Sequence, residues 1–382
     1  MSMLHGLMQG PFGRREFLRA AAIALPGAAL TTSIGAAESA TNSARLGAPA
    51  GFDPMSPADN LRAYIRMTRS LDPQATTVGW FGGRVFSVIG DQEIIRPLFD
   101  VEGFGIGRTE PQADGSYKAL WREVGYYKDL ASGAIMETWR NPLLDEQVDV
   151  YPINNDPVNS HLKPEFTLGF GATKDEHRET IKFLLPWHFL GNSAMAAFDV
   201  NLDWKSPLDP KIWKRESSGE RVRVSEYQQW RVERDELADV SLPSVHTYGS
   251  WNRVATWLPW MLMGQKPGHL FYRSHTLKLE RVEDLPRDIL AYTEKRFPKY
   301  LTAPTEWRAP NVSSFEMFAR DRKTPQLTFA ANRTAWARRS QQSMRSSRSG
   351  SRSSTCSLWR RRRWARRVIS TAHPKVAIHF AC

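Results

Sequence analysis

Cysteine is scarce in this sequence of 382 residues. It holds only two, Cys356 and Cys382, and both lie close to its end. The stretch before them therefore cannot contain a disulfide framework, a CxxC redox pair or a thiolate metal site. The GxSxG, HExxH and GxxxxGK[ST] catalytic patterns are also missing. The sequence therefore lacks the motifs by which these classes of enzyme and metal site are recognised. Evidence on function has to come from the pattern of its predicted strands.

Acidic residues are missing from the last part of the chain. Residues 340–382 hold nine Arg and one Lys but no Asp or Glu. Residues 1–37 have a net charge of +2, and the two segments together account for the whole net charge of +12. Residues 38–339 are therefore neutral, and they give no reason to expect nucleic-acid binding.

The composition of residues 337–382, rich in Arg and Ser, predicts a disordered tail. Enrichment in Arg, Ser, Cys and Trp is typical of a shifted reading frame in a GC-rich gene, which makes a frameshift our leading explanation. The alternatives are a genuine basic tail that binds an anionic envelope surface, and a nucleic-acid-binding tail. Reading the gene in its other two frames distinguishes these alternatives.

Residues 1–37 predict an export signal. The segment Gly13–Arg19 (GRREFLR) resembles the twin-arginine pattern Ser/Thr-Arg-Arg-x-Phe-Leu-Lys, with departures at its first and last positions. The apolar run that follows, Ala20–Leu30, is too short to span a bilayer, which needs roughly 20 apolar residues. Small residues precede a cleavage site expected after Ala37. We expect the twin-arginine export machinery as a partner, no transmembrane segment, and a folded, soluble protein in the periplasm or another extracytoplasmic compartment.

The hydrophobic periodicity predicts a mainly β protein. After a helix that begins near Ser56, short apolar runs alternate with turn residues, and later helices are expected over Pro286–Tyr300 and Ser313–Arg320. Gly82-Gly83 is typical of a hairpin turn, as is Ala113-Asp114-Gly115. Many strands with little helix between them favour an antiparallel, barrel-like and lipocalin-like sheet with a few flanking helices. We expect a linker over residues 38–50 and then a single domain over residues 51–336.

Three predicted strands carry polar residues on faces that are otherwise apolar. These are the strand from Ser116, with Glu123; the strand Arg221–Val232, with Glu226 and Gln228; and the strand His269–Glu280, with Arg273 and His275. Burying a charge without a partner is costly, so these side chains need an explanation. Ion pairs that only hold the sheet together are one explanation. A ligand cavity with a few polar groups in an apolar lining is the other.

Two further features are candidates for a binding site. Trp251, Trp257 and Trp260 form an aromatic cluster, which predicts either ordinary packing or the wall or lid of an apolar pocket. Arg140 could bind a carboxylate or hold the turn that follows it. The histidines show no spacing typical of metal ligands, so we predict no metal site, and the sequence identifies no cofactor.

Several short segments together resemble the bacterial family called domain of unknown function 1838. The resemblance covers about residues 51–323. It rests on the segments GFDP (51–54), PADN (57–60), VEGF (101–104), EVGYY (123–127), ETWRNP (137–142), NDPVN (155–159), SPLDP (206–210), WNR (251–253) and WLPWMLMG (257–264). Members of that family commonly carry twin-arginine signals, which agrees with the export prediction. The resemblance implies no activity, substrate or catalytic residue.

The sequence therefore predicts an exported protein that binds, and in one version also converts, a lipophilic small molecule in a β cavity. Glu226, Arg273 and His275 would be its polar groups. The first alternative is an extracytoplasmic enzyme that uses Glu123 or Glu226 with His275 for acid–base chemistry, with or without a metal. The second is an envelope protein that binds a partner, which predicts an exposed apolar patch and no cavity.

Overall fold

The structure is a computed structural model that describes residues 47–90, 95–167 and 180–323. The predicted export signal and the Arg/Ser-rich tail lie outside these ranges, as do most of the linker and the end of the predicted domain at residue 336. No helix in the described ranges has both the length and the apolar character needed to cross a bilayer.

The described part is mainly β, as predicted. Its helices are α1 (Pro57–Thr68), α2 (Arg234–Ala238), α3 (Arg287–Arg296) and α4 (Ser314–Arg322), with single 3₁₀ turns at Pro259–Met261, Val282–Asp284 and Pro298–Leu301. Its strands are β1 (Thr77–Val88), β2 (Arg96–Pro111), β3 (Tyr117–Lys128), β4 (Thr138–Asn141), β5 (Glu146–Asp149), β6 (Ile153–Asn155), β7 (Ser160–Leu162), β8 (Glu165–Thr167), β9 (Thr180–Lys182), β10 (Trp187–Leu190), β11 (Ser193–Lys205), β12 (Arg221–Glu233), β13 (Tyr248–Ala255) and β14 (His269–Leu279).

Two of the three predicted helix starts are confirmed by side-chain caps, whereas α3 begins directly after Pro286 without one. The Ser56 hydroxyl accepts a hydrogen bond from the Asp59 backbone N–H, and Pro57 occupies the first helical position, where its missing N–H has no cost. Ser313 and Glu316 form a reciprocal capping box at the start of α4. These polar side chains satisfy backbone donors that the first turn of a helix leaves unpaired.

One large antiparallel sheet organises the chain. Its strand order is β10-β11-β12-β13-β14-β1-β2-β3-β6, and β7 also pairs with β3. In the described ranges no backbone pairing joins β10 to the β3–β6 edge, so hydrogen bonds do not close the sheet into a barrel. The hairpin predicted at Ala113-Asp114-Gly115 is confirmed between β2 and β3, with Gly115 at φ 77°.

The hairpin predicted at Gly82-Gly83 is wrong, because β1 runs unbroken through both glycines. Gly83 is there because β14 approaches closely. A Cβ on it would lie 2.2 Å from the Arg273 carbonyl oxygen. A Cβ on Gly82 would instead lie 2.5 Å from the ring of Trp80 in the same strand, so both glycines mark crowding rather than a turn.

Each face of the sheet near β1, β2 and β3 has its own covering. On the convex face, α3 packs through Ile289, and the Tyr126 hydroxyl lies 2.8 Å from the Thr293 hydroxyl. On the concave face, β2 presents glycines where a larger residue would collide. A Cβ on Gly105 would lie 2.2 Å from Nε1 of Trp121. The glycine-rich run over residues 103–107 therefore lies within β2, where the missing side chains leave room for neighbouring residues.

The concave face is covered by two helices. The buried side of α1, including Leu61 and Ile65, packs with Trp230 and Val232 of β12. Phe315 and Phe318 of α4 belong to the other large apolar cluster, together with Trp204 and Trp213. A space remains between these two packed regions, and the candidate site lies there.

Candidate functional site

The concave face of the sheet borders a cavity of about 370 Å³ that is partly open to solvent. Its walls come from β1, β2, β3, β6, β7, β11, β12, β13 and β14, with further residues from α1 and from the start of α4. Aromatic side chains dominate the lining, and they include Tyr64, Phe81, Trp121, Tyr127, Trp204, Trp230 and Trp251. The charged groups in the lining are few: Arg69, Glu123, Glu226, Arg253 and Lys278.

Glu123 of β3 is the most perturbed carboxyl group in this cavity. Burial raises its pKa to about 7, and the nearby carboxylate of Glu226 adds to the rise, while the Asn155 hydrogen bond and the charge of Arg253 oppose it. A carboxyl group with that pKa is divided between acid and carboxylate at neutral pH. It can therefore both donate and accept a proton inside the cavity.

Asn155 orients Glu123. Its Nδ2 donates to Oε1 of Glu123 over 2.9 Å, and its Oδ1 accepts from the backbone N–H of Ser314 over 2.6 Å. A backbone N–H can only donate, so the amide of Asn155 has a single orientation, with its nitrogen toward the glutamate. The first turn of α4 thereby fixes a side chain on β6, and that side chain positions the carboxyl group on β3.

Glu226 and Arg253 form the second polar group of the cavity. They are direct cross-strand partners on β12 and β13, with Arg253 Nε 3.7 Å from Glu226 Oε1 and about four-fifths of each side chain buried. Gln228 adds a long hydrogen bond of 3.4 Å to the other oxygen of Glu226. The Arg253 guanidinium also lies over the rings of Trp251 and Tyr272, at 5.9 Å and 5.6 Å.

Arg69 and Lys278 supply positive charge where α1 ends. Lys278 of β14 donates to the backbone carbonyls of Arg66 and Arg69, at 2.5 Å and 3.3 Å, and so caps the carboxyl end of the helix. Burial lowers the pKa of Lys278 to about 7, against the opposing charge of Glu236. The Arg69 guanidinium lies 5.3 Å from the ring of Trp121 and 5.8 Å from that of Tyr64.

The structure brings four of the nine predicted site residues into this lining: Glu123, Glu226, Gln228 and Trp251. Trp257 and Trp260 are buried in the core instead, each only 2% exposed. Trp257 donates its Nε1 to the Lys266 carbonyl, and Trp260 packs against Phe99 and Tyr127. Trp257 and Trp260 are thus ordinary core residues, which was one interpretation of this cluster. Trp251 is part of the cavity wall, which was the other.

Arg140 lies away from the cavity. Its Nε and Nη2 donate to Asp145 Oδ1 at 2.9 Å and 2.6 Å across the turn between β4 and β5, and both side chains are largely exposed. Arg140 therefore holds the turn that follows it, which was the second of the two roles expected from the sequence.

Arg273 and His275 occupy the opposite face of β14 from the one we expected. Both are exposed, whereas the alternating residues Leu270, Tyr272 and Ser274 are almost fully buried on the concave side. The strand has apolar residues on both faces, because Phe271 pairs with Phe86 on the convex side. Alternation alone therefore could not identify the inner face, and the sequence interpretation assigned the wrong one.

Sequence reasoning missed four residues of the site: Arg69, Asn155, Arg253 and Lys278. Arg253 had a usable signal, because it lies two positions after Trp251 and so shares its face of the strand. Asn155 had none, since its contact with Glu123 joins residues 32 positions apart. Among the described residues, no three His, Cys, Asp or Glu side chains come together as metal ligands would.

Comparison with known proteins supports the resemblance seen in the sequence. A comparison with curated proteins finds no significant match. The family model described as "Protein of unknown function (DUF1838)" matches residues 74–322, which include all the sheet strands and most of the cavity lining. Since this match covers well over half of the chain, the protein belongs to the DUF1838 family.

Proposed function

We propose that this protein binds a lipophilic small molecule in the cavity on the concave face of the sheet. The observation that carries the proposal is a cavity of about 370 Å³ with an aromatic wall and only five charged side chains. Binding sites for small organic molecules have volumes of roughly 300 to 1,000 Å³ and combine an apolar lining with a few polar groups in the same way.

We further propose that the sheet serves as a barrel-like, lipocalin-like cup, although its backbone pairing is open. Lining residues come from nine of its strands, and Tyr64 of α1 and Phe315 of α4 complete the wall. The two helices would thus replace the strand pairing that closes a barrel.

A neutral, polarity-sensitive dye such as Nile red tests the proposal. We expect the full chain to bind one dye molecule and to shift its emission to the blue. Leu202 lines the cavity from β11, so Leu202→Trp would fill part of it and weaken dye binding by roughly tenfold or more. Leu190→Trp is the matched control, because Leu190 is 74% exposed on β10. Dye binding that is equally strong in both variants would place the dye elsewhere and contradict the proposal.

A second candidate function is acid–base catalysis in the same cavity. It is favoured by Glu123, whose pKa of about 7 suits a group that donates and accepts protons at neutral pH. Its partners would be Glu226 and Arg253, since His275 is exposed on the other face. A compound that the wild type converts and that Glu123→Gln only binds would favour this candidate. The partner-binding alternative expected no cavity, and the observed cavity counts against it.

We also propose that the protein is exported by the twin-arginine route into an extracytoplasmic compartment. The support is the sequence around Arg14 and Arg15 and the apolar run that follows. Replacing both arginines with lysine keeps the charge, and we expect it to retain the protein in the cytoplasm in cell fractionation. Arg19→Lys, which restores the common pattern, is the control. Unchanged export of the double variant would contradict the proposal.

A further inference from the structure

Among the described residues, two cations of the cavity leave most of their hydrogen-bonding capacity unused, Arg69 and Arg253, and of these only Arg69 has no carboxylate beside it. Arg69 follows the last residue of α1, and in the described ranges its guanidinium makes one hydrogen bond, from Nη1 to the Thr68 hydroxyl over 3.2 Å. Its Nε is buried without a partner, and no described carboxylate lies within ion-pair distance of it. The guanidinium carbon lies 5.3 Å from the ring centre of Trp121 and 5.8 Å from that of Tyr64, within the range of a cation–π contact, which uses none of its N–H donors.

The other two cations of the lining have partners. Within the described part of the chain the Nε of Arg253 makes no hydrogen bond, but it lies 3.7 Å from the carboxylate of Glu226, which offsets its charge. Lys278 donates to two backbone carbonyls at the end of α1. Arg69 therefore differs from both, because among the residues that the structure describes it has neither a carboxylate nor a backbone carbonyl as a partner and its one acceptor is a neutral hydroxyl. A half-buried guanidinium in such a setting favours an anion that restores the hydrogen bonds it lost with water.

The charge balance of the cavity points in the same direction. The pKa of Glu123 is about 7, so near neutral pH this carboxyl group contributes only part of a negative charge. The pKa of Lys278 is also about 7, so it contributes part of a positive one. Glu226 and Arg253 offset each other. The charge of Arg69 is left over, and a ligand with one negative charge would balance it.

We propose that Arg69 binds the carboxylate of a lipophilic acid, whose hydrocarbon part occupies the aromatic cavity. This inference rests on the proposed function and specifies the chemical class of its ligand. The acid group would lie at the end of α1, against the edge of the guanidinium. The apolar part would extend along Trp121 and Phe81 toward Trp251. Arg69 acts here as a binding residue, with no covalent step.

Competition between two matched ligands tests the inference. Decanoate and decanamide have nearly the same shape, but only decanoate is charged at pH 7. With the full chain loaded with Nile red, we expect decanoate to displace the dye at a concentration roughly tenfold lower than decanamide. In Arg69→Gln this advantage should disappear while decanamide is unaffected. Arg62→Gln is the matched control, since Arg62 is exposed on the same helix and bonds to the Val240 carbonyl.

The outcomes separate this inference from the proposed function. Equal displacement by the two compounds in the wild type overturns the inference and leaves the cavity as a binding site, and it requires no variant to fold. An advantage of decanoate that persists in Arg69→Gln also overturns it. If the dye binds but neither compound displaces it, the ligand is of another class. If the dye does not bind at all, the proposed function fails and the inference fails with it.

Discussion

The side-chain amide of Asn155 donates to the carboxyl group of Glu123 over 2.9 Å, inside a cavity that also holds Glu226. This contact joins a three-residue strand to a twelve-residue strand, and the start of α4 fixes its direction through Ser314. A carboxyl group held in one place, largely removed from water and close to a second carboxylate, binds its proton tightly. Glu123 is therefore one group through which pH should act on this protein between about pH 4.5 and 7.

The contribution of Glu123 to the stability of the protein should fall as the pH rises from about 4.5 to about 7. Glu123 has an ordinary pKa of 4.5 when unfolded and about 7 when folded, so its folded form holds the proton more tightly. The stabilisation is complete below pH 4.5 and is lost as the pH rises through about 7. We expect this contribution to the free energy of unfolding to drop by roughly 1 to 3 kcal/mol over this range, less than the full shift implies because the cavity admits some solvent.

Glu123→Gln isolates this effect. Glutamine keeps an oxygen for the Asn155 amide but does not titrate, so the pH dependence should flatten. Denaturant unfolding at pH 5 and pH 8 measures the difference, and Glu280→Gln, at an exposed position after β14, is the control. A Glu123→Gln protein whose stability changes with pH as much as that of the wild type would contradict the prediction.

Glu226 and Arg253 should stabilise the protein together rather than separately. Replacing Arg253 with Met leaves Glu226 without its partner in a largely buried position, so we expect a loss of about 1 to 3 kcal/mol. Adding Glu226→Gln should recover part of that loss. A double-mutant cycle by denaturant unfolding should give a coupling of about 1 kcal/mol. Strictly additive single changes would show that the two side chains do not interact.

The glycine at position 105 should be required for the shape of the cavity. In Gly105→Ala the new methyl group would lie 2.2 Å from Nε1 of Trp121, so the ring must move, and we expect a loss of about 1 to 3 kcal/mol together with weaker dye binding. Gly79→Ala is the matched control on the same face, because its methyl group would lie at an ordinary 3.6 Å from the same ring. If both variants unfold at the same denaturant concentration, the packing of Trp121 is not what requires glycine.

The sequence predicted the type of fold well, because that information is local. Cap residues such as Ser56 and turn residues such as Gly115 determine where elements begin and end, and alternation identifies strands without reference to the rest of the chain. The order of strands in the sheet and the open edge depend on pairings between distant strands such as β1 and β14. No local pattern contains that information.

The candidate site was only partly predictable for the same reason. Glu123 and Glu226 were recognisable as charges on apolar strand faces, and both line the cavity. Arg273 and His275 were placed on the wrong face because β14 is apolar on both sides, so a choice between them required the neighbouring strands. Arg69 was missed because it follows a helix, where an arginine is ordinary, and only the approach of Trp121 gives it a role.

The central claim is that the cavity on the concave face binds a lipophilic molecule. A crystal structure of the protein grown with a terminally brominated decanoic acid tests it most directly, because bromine can be located by its anomalous scattering. We predict a bromine peak inside the cavity near Trp251 and a carboxylate within hydrogen-bonding distance of Arg69. Bromine found only on the outer surface, with the cavity free of the compound, would contradict the account.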